Sequence, residues 1–224
     1  MPPVKHPGTL RSPGARRYDN SGRIARARVV RRRVIDAAAR LFLERGYPTT
    51  TMEAIGTASD TPMASLYRVF ATKADLLRAV LETAYVGDDE PISLHERPEA
   101  KRAADETDPR RLLAGYAHVA RTVLERSAPL QHMLRTAAAV EPTAAELLDA
   151  NRRQRAEGQS RVVAALRRLG ALSPALSDAA ALDVVYALMS PELHWVLTRD
   201  RNWDHDRYER WLAEALNRML LTAG

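Results

Sequence analysis

TTMEAIGTASDTPMASLYRVF, residues Thr50–Phe70, is the stretch from which the rest of the chain is read. Thr50 or Thr51 is placed to cap a first helix, and Glu53 follows Thr50 at the spacing of a capping box. Asp60 tolerates the backbone of a tight turn. Thr61 is placed to cap a second helix of about two turns, with Pro62 at the position where a missing N–H costs least. Helix, turn and helix in this order make either an αα-hairpin that only packs or a helix-turn-helix whose second helix enters a DNA major groove. The distribution of charge favours the second.

The chain carries a net +6, unevenly spread. Residues 1–50 hold twelve Lys/Arg against three acids, a net +9, which leaves −3 for the remaining 174 residues. Within 1–35 ten basic residues face one acid. This split points to an anionic partner for the N-terminal part, either nucleic acid or an anionic membrane surface. The membrane alternative, a basic peripheral protein, requires an N-terminal amphipathic helix with a large bare apolar face. No apolar run approaches the roughly 20 residues of a membrane span, and no apolar signal core is visible at the start. With no cysteine in the chain, disulfides and thiolate chemistry are excluded, and a cytoplasmic location is expected. A composition rich in Ala, Leu and Arg, 46% hydrophobic and 28% charged, suits a globular helical chain with a sizeable core.

Four segments are expected. Residues 1–25, rich in Pro, Gly, Ser and Arg, have the composition of a disordered basic arm. Residues 26–85 form the helix-turn-helix domain. Its first helix runs from about Arg26 to Arg45, with Val30, Val34, Ala37 and Leu41 at helical spacing and Gly46 as its stop. Arg31, Arg32 and Arg33 crowd the N-terminal half of that helix, where the dipole disfavours them, and phosphate contact would explain their presence. Thr72 with Asp75 caps the next helix, and Lys73 in its first turn is placed for a phosphate. Residues 86–107 are a polar connection with a short helix over Pro98–Asp105. Residues 108–224 are helical: one helix opens at Asp108-Pro109, another at Ser127 with Pro129, and a third runs from Glu141-Pro142 to about Leu169. Ser177-Asp178 starts a fourth, Ser190-Pro191 kinks or restarts it, and Asp204 caps the last. The middle of the third helix, NRRQRAEGQSR, is polar nearly all round and is expected to face solvent, or to reach into a cavity through Arg153 or Gln154.

VIDAAARLFLERGYPTTTMEAIGTASDTPMASLYRVFATKADLLRAVLE resembles the DNA-binding domain of the tetracycline-repressor (TetR) family. The resemblance covers residues 30–82, about a quarter of the chain. It rests on the Ala-Ala…Leu-Phe…Arg-Gly-Tyr block, the threonines at 49–51, Leu66-Tyr67…Phe70 and Lys73…Leu76-Leu77. It implies an all-α protein with a three-helix reading domain and a C-terminal helical domain for ligand binding and dimerisation. Thr51, Tyr67 and Lys73 would hold phosphates, with Thr50 beside them, and Pro62–Phe70 would read bases. Three departures stand out: Ser59-Asp60 where the family usually has Ala-Gly, Pro62-Met63 where it often has Ser-Lys, and Tyr67-Arg68-Val69 in place of an aromatic pair flanking a histidine. Met63 and Ala64 suit a thymine methyl, Ser65 suits either strand's edges, and Arg68 suits a guanine edge or a phosphate.

For the C-terminal part the resemblance implies a ligand cavity and a four-helix dimer interface. Tyr116, Val119, Val123, His132, Met133, Tyr186 and Met189 are the pocket candidates, with ordinary core as their alternative role. Leu193, Trp195, Val196, Tyr208, Trp211, Leu212, Ala215 and Met219 are the candidates for pairing two copies. The six histidines show no zinc spacing, and no phosphate loop or nucleophile elbow is present. The expectation is therefore no enzyme, no cofactor and no metal. Instead the chain reads as a homodimeric transcription regulator, most simply a repressor released from a double-stranded operator by a small, mainly apolar ligand. A DNA-binding regulator without an inducer is the alternative.

Overall fold

A computed structural model describes residues 21–88 and 92–222, and in it the chain is helical, with no strand among the described residues. Four helices build the N-terminal part: α1 (Ser21–Arg45), α2 (Met52–Ala58), α3 (Met63–Val69) and α4 (Lys73–Val86). α1 begins at Ser21, five residues ahead of the expected Arg26, so the last part of the supposed arm is helical. The arm's remaining residues, 1–20, lie outside the described residues. Gly46 ends α1 with φ +82°, a left-handed conformation that glycine adopts without a Cβ penalty. Thr51 is the residue that caps α2, its hydroxyl accepting from Ala54 N at 3.1 Å. The turn to α3 depends on Asp60, which sits at φ +46° as its place in the turn requires.

The start of α3 differs from expectation. The helix opens at Met63 with Pro62 as the flanking residue, and no side chain caps it. Thr61 does not cap; its hydroxyl donates to Ser59 O at 3.1 Å and stays inside the turn. Asp60 carries the strain here, since a non-glycine residue in left-handed geometry costs about 1 kcal/mol or more. Its carboxylate stands 4.0 Å from Arg33 and its side chain is fully exposed, so that ion pair adds little. Asp60→Gly is therefore expected to raise the unfolding free energy measured in urea by about 0.5–1 kcal/mol; a lower value would show that the carboxylate has a partner worth more than the strain.

The remaining helices are α5 (Pro98–Asp105), α6 (Pro109–Ala138), α7 (Pro142–Arg168), α8 (Asp178–Leu188), α9 (Pro191–Trp195) and α10 (His205–Leu220). A 3₁₀ turn at Leu94–Glu96 precedes α5, and a π turn at Val196–Asp200 follows α9. α5 occupies the predicted Pro98–Asp105. It seats closely on α6, because a Cβ at Gly115 would fall 2.9 Å from that of Ala103. α6 corrects the sequence reading: where two helices were expected, one of 30 residues runs through Pro129. An internal proline costs a helix about 3 kcal/mol. Burial on both sides outweighs it here, with Ser127, Ala128 and Leu130 all within 4% of full burial. Side-chain caps appear at Asp108, Ser177, Ser190 and Asp204, each accepting from a backbone N–H of the first turn.

Two apolar clusters hold the fold. The first joins Val34, Phe42, Ile55, Leu66, Leu76 and Leu77 of the N-terminal helices to Leu130, Leu134 and Leu147 of α6 and α7. The second joins Leu112 and Leu113 of α6, Val162 and Leu166 of α7, Val185 of α8, and Tyr208, Leu212 and Leu216 of α10. Thus α6 and α7 each have one end in either cluster. The helix-turn-helix is packed against the far end of the same pair of helices that carry the C-terminal core.

Candidate nucleic-acid interface and C-terminal cluster

The outer face of α3 is the most open part of the reading unit. Leu66 and Phe70 are buried, whereas Pro62, Ala64, Tyr67 and Arg68 are exposed and Met63 and Ser65 are half-exposed. Arg68 Nη2 lies 3.4 Å from Ser65 Oγ, so the guanidinium is held along the same face. Tyr67, 48% exposed, projects an aromatic ring with a phenolic O–H. Thr51 is also exposed, with its hydroxyl hydrogen free for an acceptor while its oxygen caps α2.

Several expected contacts have other work. Thr50 is fully buried, its hydroxyl donating to Gly46 O at 2.8 Å, so it cannot reach a duplex. It ties the α1–α2 loop internally. Lys73 directs its ammonium to Tyr47 O at 3.0 Å, Thr50 O at 3.1 Å and Pro48 O at 3.4 Å, over the face of the Tyr47 ring. Its three donors are engaged in that loop, so it is a clamp rather than an open phosphate ligand. Arg33 donates to Asp60 O at 2.7 Å and holds the turn against α1. Arg32 pairs with Asp36 one turn on, and Arg31 lies over the Phe70 ring at 4.8 Å. Arg31 and Arg33 therefore hold the reading unit from α1, whereas the Arg32 pair stays within α1. The apolar stripe of α1, Val34, Ile35, Ala38, Leu41 and Phe42, is buried. This removes the bare apolar face that the membrane-surface alternative needs.

Residues 34–80 match the family described as bacterial regulatory proteins, tetR family. The match falls on the helix-turn-helix part, from α1 to α4, and is a similarity of that segment. Comparison with curated protein sequences gives no match. Among solved structures, SmeT of Stenotrophomonas maltophilia in complex with triclosan is 22% identical, with a TM-score of 0.69 over 88% of this chain and 93% of that one. NalD of Pseudomonas aeruginosa, described as the secondary repressor of the MexAB-OprM multidrug efflux pump, is 21% identical, with a TM-score of 0.66 over 88% of this chain and all of that one. A TetR-family member of Streptomyces coelicolor A3 is 24% identical, with a TM-score of 0.60 over 86% of this chain and 99% of that one. At these identities the likeness is one of fold.

The seven pocket candidates do not converge. Val119 and Val123 line a cavity of about 280 Å³ between the end of α4, α5 and α6, with Val86, Leu94, Arg97 and Arg126 among its walls. Arg126 also donates to Ala84 O and Tyr85 O at the end of α4. Met133 belongs to the N-terminal core and Met189 to the C-terminal one. His132 is exposed and stacks on Trp195, ring centroids 4.3 Å apart. Tyr116 packs at the edge of the C-terminal core, half-buried. Tyr186 lies under the guanidinium of Arg155 at 3.9 Å.

The dimer candidates also divide. Tyr208 and Leu212 are fully buried within the C-terminal core, so they are not available to a second copy. The outward side of α9 and α10 carries Val196 (44% exposed) and Met219 (50% exposed). Leu193, Trp195, Trp211 and Ala215 beside them are half-buried.

One set of polar side chains escaped the sequence reading. Arg153 and Gln154 of α7 are exposed, but Asn151, Arg155 and Gln159 turn inward. Tyr85 of α4 donates to Asn151 Oδ1 at 3.1 Å and also lies within reach of Gln131. Burial pushes its phenol up to about 12. The signal was available: Leu147, Asn151, Arg155, Gln159 and Val163 form one row at four-residue spacing, and both ends of the row are core residues.

Proposed function

We propose that this protein is a homodimeric, one-component repressor. It holds a pseudo-palindromic operator through the exposed face of α3. A small, mainly apolar ligand among the C-terminal helices releases it. The observation that carries this reading is the division of α3 itself. Leu66 and Phe70 anchor it in the core, while Ala64, Tyr67 and Arg68 are exposed, in a chain whose first 50 residues are net +9. Ala64 and Met63 would meet thymine methyls, Ser65 and Arg68 base edges, and Thr51 and Tyr67 phosphates. Arg31, Arg33 and Lys73 would support this face from behind, and Arg32 would lie on the surface of α1 beside it. The exposed Val196 and Met219, with Trp195, Trp211, Leu193 and Ala215, offer the surface for a second copy, which would set two reading helices about one duplex turn apart. The complex of SmeT with triclosan and the description of NalD as a repressor support reading this fold as a repressor that takes a small organic ligand.

Selection of bound duplexes from a random pool tests the operator half of this proposal, followed by titration at several salt concentrations. Binding should weaken linearly on a log–log plot against salt, because phosphate contacts release counterions; a flat response would remove DNA as the partner. Arg68→Ala should weaken the selected duplex by about tenfold or more and random duplex much less. Equal losses on both would make Arg68 a phosphate contact only.

A further inference from the structure

The inward row of α7 is expensive to bury unless it serves something beyond packing. Arg155 is only 11% exposed at its side chain. Among the described residues its one ionic partner is Glu192, at 3.7 Å, and that carboxylate is bonded more closely to Arg135, at 2.6 Å. Two guanidinium groups thus share one carboxylate, and the interior member keeps an uncompensated positive charge. Its Nε is buried with no hydrogen-bond partner. One turn on, Gln159 is 7% exposed; its amide nitrogen reaches Met189 O at 3.5 Å and its Oε1 has no partner. One turn back, Asn151 meets Tyr85, and Tyr186 covers the Arg155 guanidinium at 3.9 Å. A purely structural ion pair would close these valences, as buried polar groups ordinarily do.

We infer that this row is the effector site and that the effector carries a carboxylate. Arg155 takes the anionic group in a charge-assisted pair, Gln159 and Asn151 supply hydrogen bonds to polar atoms beside it, and Tyr186 and Met189 contact the apolar body. Met189, the residue that ends α8, is unbranched and can repack around such a body. This rests on the regulator reading above, and it adds an acidic group to the mainly apolar ligand proposed there. Tyr85 gives the site a direct contact with α4, the helix that continues into the N-terminal core.

The test uses the full chain and two probes of matching shape, naphthalene-2-carboxylate and its neutral amide, titrated calorimetrically. The carboxylate should bind about tenfold or more tighter than the amide. Arg155→Met should abolish that preference. Glu192→Gln should strengthen carboxylate binding, because it removes the competing anion; a merely structural pair predicts no gain. Circular dichroism reports whether Arg155→Met folds, and the wild-type preference and Glu192→Gln decide the matter if it does not. Equal binding of both probes, no binding of either, or weaker carboxylate binding by Glu192→Gln would overturn the inference. Duplex binding by the wild type without probe is measured separately. If it fails while the carboxylate preference holds, the regulator reading falls and the anion site stands. If it holds while the preference is missing, the inference alone falls.

Discussion

Tyr208→Ala is expected to lower the stability of the folded chain by on the order of 3–5 kcal/mol, the range for truncating a buried aromatic. The ring is fully buried in the C-terminal core. It meets His194 edge-on with centroids 4.8 Å apart, and its hydroxyl reaches Leu188 O at 3.5 Å. Alanine would leave a cavity bounded by α8, α9 and α10, which cannot all relax at once. Position on α10 alone would assign this residue to a dimer interface, and the two roles predict different behaviour. A core residue costs the same at every protein concentration. An interface residue costs more as the protein is diluted. Urea unfolding over a hundredfold concentration range checks it; a loss below about 1 kcal/mol, or one that grows on dilution, would return Tyr208 to the interface. Met219→Glu is the companion variant. At 50% exposure it should leave the unfolding of the isolated chain within about 0.5 kcal/mol and weaken self-association.

Acidification should destabilise the protein well above the range where its carboxylates titrate, through His194. The ring is 3% exposed and neither nitrogen has a hydrogen-bond partner. Burial lowers its pKa from 6.5 to about 4, with the neighbouring charges of His205 and Arg199 acting in the same direction. His205 stacks on it from α10, ring centroids 5.7 Å apart, and is itself 3.7 Å from Glu125 of α6. The neutral ring is the form the fold accepts. Above about pH 6.5 both folded and unfolded chains are neutral at this position, and stability is unaffected. Below it the unfolded chain binds a proton that the folded chain refuses until about pH 4, so stability falls by on the order of 3 kcal/mol across that interval. Glu192 acts lower. Burial pushes its carboxyl up, but its own backbone N–H, Arg155 and Arg135 outweigh this and hold it below the ordinary value, so its contribution is lost at more acid pH. Unfolding free energies at pH 8, 6.5, 5.5 and 4.5 for the wild type and His194→Phe separate the two. The variant should be flatter between pH 6.5 and 4.5. Parallel curves would mean that His194 is not the titrating group.

The helices and the turn were legible because their determinants are local. Gly46 ends α1 with φ +82°, as its place in the sequence indicates, and Gly170 follows α7 with φ +64°. Asp108, Ser177 and Asp204 cap the helices they were expected to start. Asp60 adopts the left-handed turn its chemistry permits. Where a local signal met a stronger distant one, it lost. Ser127 and Pro129 look like a helix start, yet α6 runs through them because its two ends lie in two different cores.

Which polar group faces which was a tertiary decision. Thr50 and Thr51 are alike in sequence, but Thr50 bonds inside the α1–α2 loop and Thr51 caps α2 at the surface. Lys73 and Arg33 carry charges suited to phosphate, and the packing of α4 and α1 turns them onto carbonyls of the reading unit. Tyr208 and Met219 belong to one apolar stripe of α10, and only the helices packed against α10 decide that the first is core and the second is open. The helical class, α3 with its turn and the basic N-terminal composition were legible in the chain, since caps, turn residues and charge act within a few residues of one another. The tertiary structure alone decided which charges and rings point inward, Arg155 and His194 above all, because burial is a property of the neighbours other helices supply.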